Sequence, residues 1–243
     1  MKRVLVIGAS SAIAVATARL LARRGAFLVL AGRSRQRLLT VAADLESHGA
    51  AGVALLEFDA AITSNYEQLA AEAWGDGLDL VLLAHGVLPD QQAVQDNVVA
   101  TQLAMQVNAN SAIAWLAALA HRFEQRGAGT IAVLSSVAGD RGRQSNYVYG
   151  AAKAALTVYT DGLRNRLTGC GVCVVTVKPG FVDTPMTHGF SKGPLWSTPE
   201  RIAEGIVRAA GRRGRVVYLP GFWRYIMCLI KLLPGRLFDR LSL

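Results

Sequence analysis

The sequence predicts an α/β fold, a doubly wound parallel sheet of about seven strands with helices on both faces. Three observations carry that expectation: short apolar runs recur along the chain, the segments between them have helical periodicity, and the first run ends in a glycine that opens a helix. Strands that alternate with helices require right-handed crossovers, which lay helices over both faces of a parallel sheet.

In order, the apolar runs at 4–7, 27–31, 51–57, 78–84, 129–135, 172–178 and 215–218 read as strands. The stretches 14–24, 35–47, 97–126 and 149–167 read as amphipathic helices, with apolar residues recurring three and four positions apart. With 243 residues, 52% of them apolar, the chain can bury a substantial core. No linker composition interrupts residues 1–221, which are expected to form one domain, while 222–243 read as a basic amphipathic segment rather than an independent one.

The formal charge of +9 is unevenly spread. Residues 201–243 hold nine Arg or Lys against Glu204 and Asp239, a surplus of seven, so the body of the chain is close to neutral. A basic end suits an anionic surface: a membrane, an acidic partner or nucleic acid. Gly211-Arg212-Arg213-Gly214-Arg215 reads as a solvated turn before the last strand, and no nucleic-acid partner is expected. Met1-Lys2-Arg3 is followed by no signal-peptide pattern, and three cysteines suit a reducing compartment, so a cytoplasmic protein is expected. Cys170 and Cys173 have metal or redox spacing, but two further zinc ligands are lacking and Cys173 enters a strand instead of opening a helix; no metal site is expected.

In a doubly wound sheet, ligands bind beyond the carboxyl ends of the strands. The first such end is Gly8-Ala9-Ser10-Ser11-Ala12-Ile13-Ala14. Gly8 allows a tight turn, Ser10 and Ser11 offer hydroxyls and N–H groups to a phosphate, and the following helix points its positive end there. A lone glycine turn is equally an ordinary strand–helix connection. After the second strand stands Arg33, where a carboxylate would bind adenosine ribose hydroxyls; an arginine pairs with a 2′-phosphate instead, favouring NADP(H) over NAD(H). Arg33 and Arg35 read otherwise as the start of a solvated helix. Asp59, after the third strand, is placed to meet the adenine amino group or to cap a turn toward Thr63.

Ser136 at a strand end precedes Tyr149 and Lys153, which share one helix face at four-residue spacing. An ammonium beside a phenol favours the phenolate and lowers the tyrosine pKa, and a serine hydroxyl can bind the same carbonyl oxygen. Tyr-x-x-x-Lys alone is common by chance.

These pieces, with Leu83-Ala84-His85-Gly86, Asn108 and Pro179-Gly180-Phe181-Val182-Asp183-Thr184, resemble in order and spacing the short-chain dehydrogenase/reductase family over nearly the whole chain. The resemblance implies a Rossmann-like fold, Tyr149 as acid/base, Ser136 as substrate orienter, Lys153 as ribose binder and tyrosine tuner, and Asn108 as holder of a proton-relay water. It implies cofactor contacts from Gly8, Ser10, Ser11, Ala12, Ile13, Arg33, Asp59, Ala84, His85, Gly86, Tyr149, Lys153, Pro179 and Gly180, with Val182 and Thr184 at the nicotinamide carboxamide. NADP(H) is favoured and NAD(H) is possible; no metal is implied. Two departures stand out. Ala12 and Ala14 replace family glycines, and Ala84-His85 replaces an asparagine-containing motif.

The stretch 146–153 and the ending 217–238 resemble a subgroup that reduces a 2-keto sugar on a polyprenyl phosphate, for cell-wall assembly, beside a flavoenzyme that supplies the keto-sugar. This implies a lipid-linked substrate, a flavoenzyme partner and a location at the inner face of the plasma membrane. Another apolar ketone or acyl substrate is the alternative, and a non-catalytic dinucleotide-binding scaffold a further one. Residues 222–238 interleave apolar and aromatic side chains with Arg224, Lys231 and Arg236, a pattern for lying in a headgroup layer or docking on the core or a second copy. A homo-oligomer is expected. Arg141 and Arg143, between Ser136 and Tyr149, are candidates to hold a substrate phosphate, or are solvated loop arginines.

Overall fold

The computed structural model describes residues 2–210 and 214–240. Seven parallel strands run β1 (Arg3–Ile7), β2 (Phe27–Gly32), β3 (Gly52–Glu57), β4 (Leu80–Leu83), β5 (Gly129–Leu134), β6 (Val172–Pro179) and β7 (Val216–Leu219). Their order across the sheet is β3-β2-β1-β4-β5-β6-β7, so the winding reverses between β1 and β4. That reversal opens a crevice at the carboxyl edge of the sheet. The predicted segment 211–213 of the basic turn lies outside the described residues.

The alternation within β1 shows why the sheet takes helices on both faces. Leu5 and Ile7 enter one core with Trp115, Phe123 and Leu156, while Val4 and Val6 enter the other with Leu38, Leu45 and Ile202. Successive strand side chains point to opposite faces, and both sets are fully buried. Burial of each such aliphatic side chain stabilises the fold by ~1.5–3 kcal/mol. The first face is covered by α3 (Tyr66–Trp74), α6 (Ser111–Arg126) and α7 (Tyr147–Thr168), and the second by α1 (Ala12–Ala22), α2 (Arg35–Ser47) and α8 (Pro199–Ala209). Short α4 (Gln91–Gln95) precedes α5 (Val98–Met105).

Caps set the helix starts that matter for the site. Ser11 accepts the Ala14 N–H at 3.2 Å to begin α1, Ser34 accepts the Arg37 N–H at 3.4 Å to begin α2, and Thr198 accepts the Arg201 N–H at 3.3 Å to begin α8. The predicted single helix 97–126 is instead two α-helices joined by a π-helical turn, Gln106–Asn110. Asn108 lies in that turn and donates from Nδ2 to the Ala104 carbonyl at 2.9 Å, filling an acceptor within the widened ladder. The segment 98–126 is long and apolar enough to cross a bilayer, yet Trp115, Leu116, Leu119 and Phe123 are fully buried against the sheet.

The chain ends in α9 (Trp223–Leu232) and α10 (Gly235–Phe238). Trp223 and Met227, four residues apart, bury one face of α9 against Val137 and Tyr218. The opposite face stays exposed.

Candidate active site

The carboxyl ends of six strands converge on one cavity of about 710 Å³. Its walls include Gly8, Ser10, Ser11, Ala12 and Ile13 after β1, Arg33 after β2 and Asp59 after β3. Ala84, His85 and Gly86 follow β4, Ser136 follows β5, and Pro179, Gly180, Val182 and Thr184 close the far end. Tyr149 and Lys153 from α7 and Arg143 from the loop before it reach the same cavity. Of the residues singled out in the sequence, Arg141 and Asn108 do not line this cavity.

Gly8 has φ 81°, and a Cβ there would lie 2.6 Å from the backbone of His85. The β1 loop and the β4 end thus meet as closely as backbones allow, and only glycine fits. Ala14, in place of a family glycine, is fully buried and packs as an ordinary core residue. Ser10 is exposed at the rim, whereas the Ser11 oxygen is committed to its helix cap. The groups left to meet an anion at this end are thus the Ser10 hydroxyl and the N–H groups of the first turn.

Arg33 is exposed at the cavity edge beside Ser34 and Arg37. Arg37 is a second guanidinium the sequence reading missed; its signal was the three-residue offset from the Ser34 cap, which puts it on the first turn of α2. Arg35 points away, to Glu57 at 3.3 Å. Asp59 accepts the Ala61 N–H at 2.9 Å and its own N–H donates to Thr63 at 3.2 Å, so it caps a turn as well as lining the cavity.

His85 shows a fixed tautomer. Ser111 donates its hydroxyl proton to the Val107 carbonyl at 3.0 Å, which leaves its oxygen to accept from His85 Nε2 at 2.8 Å. The Nδ1 atom therefore carries a lone pair, buried and without a partner in the protein. Burial, aided by the Lys153 charge, pushes the imidazole down to about 3, so it is neutral.

Tyr149 and Lys153 lie together, the ammonium 5.7 Å from the ring centroid. Lys153 donates to the Leu134 carbonyl at 3.1 Å. The expected lowering of the Tyr149 pKa is not what the geometry gives: burial pushes the phenol up to about 12, only partly opposed by the Ser136 hydroxyl beside it. Burial also pushes Lys153 down to about 8. Desolvation disfavours both charges and outweighs what the neighbouring groups contribute. Ser136 accepts the Ala138 N–H at 3.1 Å, which fixes its side chain at the strand end.

Asn108 is buried behind the wall. Its Oδ1 accepts the Val87 N–H at 2.9 Å and Nδ2 donates to the Ala104 carbonyl, so the side chain joins the π-helical turn to the β4 loop. These two bonds use one acceptor site of Oδ1 and one proton of Nδ2, leaving one of each on the carboxamide. A Cβ on Gly86 would fall 2.7 Å from that Oδ1, so the β4 loop lies directly on it.

Arg141 stands outside the cavity wall. It donates to the Ile230 and Leu233 carbonyls at 2.5 and 2.7 Å and lies 3.7 Å over the Phe238 ring. The guanidinium caps the end of α9, where carbonyls lack helical partners. Arg143 does line the cavity: its Nε is buried without a hydrogen-bond partner, and desolvation lowers its pKa against the opposing charge of Asp140. A desolvated guanidinium facing a cavity calls for an anion.

These features fit a dinucleotide: a glycine turn on a helix N-terminus, cations at the adenosine end, an orphan acceptor midway, and a Ser–Tyr–Lys set opposite. Residues 2–194 match the short-chain dehydrogenase family, to which the chain belongs. The protein is an NAD(P)-dependent oxidoreductase of this type. It is 36% identical over 240 residues to an uncharacterized oxidoreductase of Mycobacterium tuberculosis (strain ATCC 25618 / H37Rv), covering 98% of this chain and 96% of the relative. A ketoacyl reductase of Nostoc sp. is 31% identical over 215 residues, covering 86% of this chain and 75% of that one. A solved short-chain dehydrogenase from Sphingobium yanoikuyae in complex with NADPH superposes with a TM-score of 0.81 at 25% identity, with 97% of each chain covered.

Proposed function

We propose that the protein reduces a ketone to an alcohol with NADP(H), using Tyr149 as the proton donor. The observation that carries this is the convergence of Ser136, Tyr149 and Lys153 on the cavity that also holds Gly8 and Arg33. Arg33 and Arg37 would pair with a 2′-phosphate, Asp59 would meet the adenine, and Lys153 would bind the ribose hydroxyls. His85 Nδ1 would accept a hydroxyl proton from the bound dinucleotide, and Pro179, Gly180, Val182 and Thr184 would border its nicotinamide.

The nicotinamide supplies a hydride to the carbonyl carbon when bound. The protein's part is the proton and the alignment. A phenol with a raised pKa is protonated at neutral pH and suited to donate to the developing alkoxide. Ser136 orients the same oxygen from the strand end. Lys153, charged below about 8, stabilises the phenolate left behind. Asn108 holds the wall by tying the π-helical turn to the Gly86 loop.

The substrate is an anionic, apolar keto compound, for which Arg143 in the cavity wall speaks, its Nε buried without a hydrogen-bond partner. Its finer identity is a polyprenyl-phosphate-linked keto-sugar, as reduced by the reductase subunit of decaprenylphosphoryl-ribose 2-epimerase, supplied by a flavoenzyme and met at the inner face of the plasma membrane. A ketoacyl thioester is the second reading, favoured by the likeness to a ketoacyl reductase. Residues 1–221 form the catalytic domain, with 222–243 an appended segment. The exposed Val98, Val99 and Val158 offer a surface for a second copy.

Fluorescence titration with NADPH and NADH, followed by turnover of the lipid-linked keto-sugar, a ketoacyl thioester and a simple ketone, tests the reading. Tighter NADPH binding and turnover of the keto-sugar are expected. Turnover of the simple ketone alone removes the lipid-sugar identity, and no dinucleotide binding removes the catalytic reading altogether.

A further inference from the structure

We propose that the outer face of α9 docks the enzyme on an anionic lipid bilayer, with the mouth of the catalytic cavity held at a fixed angle to that surface. The proposal deepens the lipid-linked reading above, naming the surface at which such a substrate is met.

At about 100° per residue, α9 divides into three sectors. Trp223, Ile226, Met227 and Ile230 form the sector packed on the core, Trp223 and Met227 being 3% and 0% exposed. Tyr225, Leu229 and Leu232, spaced at four and three residues, form a second apolar sector that is 72%, 69% and 74% exposed. Arg224 and Lys231 lie between the two, and both are exposed. Leu237, 54% exposed, and Arg236 continue the pattern into α10. A water-facing helix side has no reason to carry Tyr, Leu and Leu in register, and a patch of this kind marks a contact surface.

Charge selects the occupant. Between Glu204 and Asp239 the sequence has no Asp or Glu and seven Arg or Lys. A second copy meeting this face through its own would set Arg224 and Lys231 against like charges, whereas anionic headgroups complement them. The run is too short to span a bilayer, so it would lie in the headgroup layer.

Orientation follows from how α9 is fastened. Phe181, in the cavity wall, stacks on Trp196 at 5.4 Å between centroids and meets Trp223 at 5.3 Å, and Trp223 meets Phe222 at 5.8 Å, which joins the wall to the start of α9. Arg141 ties the other end of the helix to the loop that follows Ser136. The helix cannot tilt on a surface without moving the cavity mouth with it.

The test mixes full-length protein with vesicles of phosphatidylcholine, alone or equimolar with phosphatidylglycerol, followed by sedimentation. Binding to the anionic vesicles alone is expected, weakened by salt. The variant Tyr225→Ser/Leu229→Ser/Leu232→Ser should bind ~tenfold or more weakly, as should Arg224→Glu/Lys231→Glu. Retained NADPH titration shows that each variant is folded. No vesicle binding by the wild type, or equal binding by the triple variant, overturns the proposal. So does a concentration-dependent oligomer that the triple variant abolishes without any vesicle binding, which assigns the face to a second copy. No keto-sugar enters this assay, so a failure of the substrate reading is seen separately, in turnover.

Discussion

The Trp223 indole occupies the space where a side chain on Gly180 would stand: a Cβ there would lie 1.9 Å from Nε1. The strand end that borders the cavity is therefore moulded to the C-terminal helix. Gly180→Ala must push Trp223 off its seat, and overpacking of this kind costs ~1–3 kcal/mol. We expect a lower thermal midpoint, a changed tryptophan emission and reduced turnover. Unchanged emission together with wild-type stability would show that α9 does not rest on Gly180.

The two arginines before α7 separate by function. Arg141→Ala removes the cap of α9 and its stacking on Phe238, so hydrogen exchange in 223–238 should rise, with no change in preference between phosphorylated and neutral substrates. Arg143→Ala should raise KM for a phosphorylated substrate by ~tenfold or more, the scale of a charge-assisted contact, and leave a neutral one unaffected. Equal effects of Arg143→Ala on both substrates would remove the anion-binding role.

Asp140 holds the loop from the other side. It is ion-paired with Lys178 and accepts from the Tyr218 hydroxyl at 2.7 Å, and the Lys178 and Asp140 side chains are 8% and 2% exposed. Removing one partner leaves a buried charge, at ~3–5 kcal/mol. Asp140→Ala should therefore destabilise strongly, and Asp140→Ala/Lys178→Met should recover much of the loss. Chemical denaturation measures both, and a double variant no better than the single one would refute a paired role.

Tyr149 and Lys153 set the pH profile. Tyr149→Phe should lower kcat by ~10²–10⁴ while dinucleotide binding persists. In the reducing direction the phenol stays protonated to about 12, so the alkaline limb belongs to Lys153, which loses its charge near 8. Lys153→Arg retains charge to ~12 and should move that limb upward. A limb at the same pH in the arginine variant would assign it to another group.

Much of this architecture is written locally. The alternation in β1 and the caps Ser11 and Ser34 follow from neighbouring residues, and strand ends bring Gly8, Arg33, Asp59 and Ser136 together once the strand order is known. The π-helical turn at Gln106–Asn110 was not legible, since its apolar period differs little from that of a helix. Nor were the partners of Arg141, which lie 89 and 92 residues further along. The direction of the Tyr149 shift also escaped, because spacing reveals the neighbouring lysine but not the depth at which both are buried.

His85 should make the fold sensitive to acid. Its folded pKa, about 3, lies below the ordinary 6.5 because the imidazole is buried. Between those values the unfolded chain binds a proton that the folded chain refuses, so stability rises with pH and is lost as pH falls from 6.5 toward 3. The slope from this one group reaches ~1.4 kcal/mol per pH unit. Carboxylates contribute to acid unfolding too, so the quantity to measure is the difference between the wild type and His85→Asn, which can still donate to Ser111. Denaturation midpoints taken from pH 7 to pH 5 should fall less steeply in the variant. Parallel slopes would mean that the imidazole takes up its proton in the folded state, and the lone pair on Nδ1 would then not be free to receive a hydroxyl of the dinucleotide.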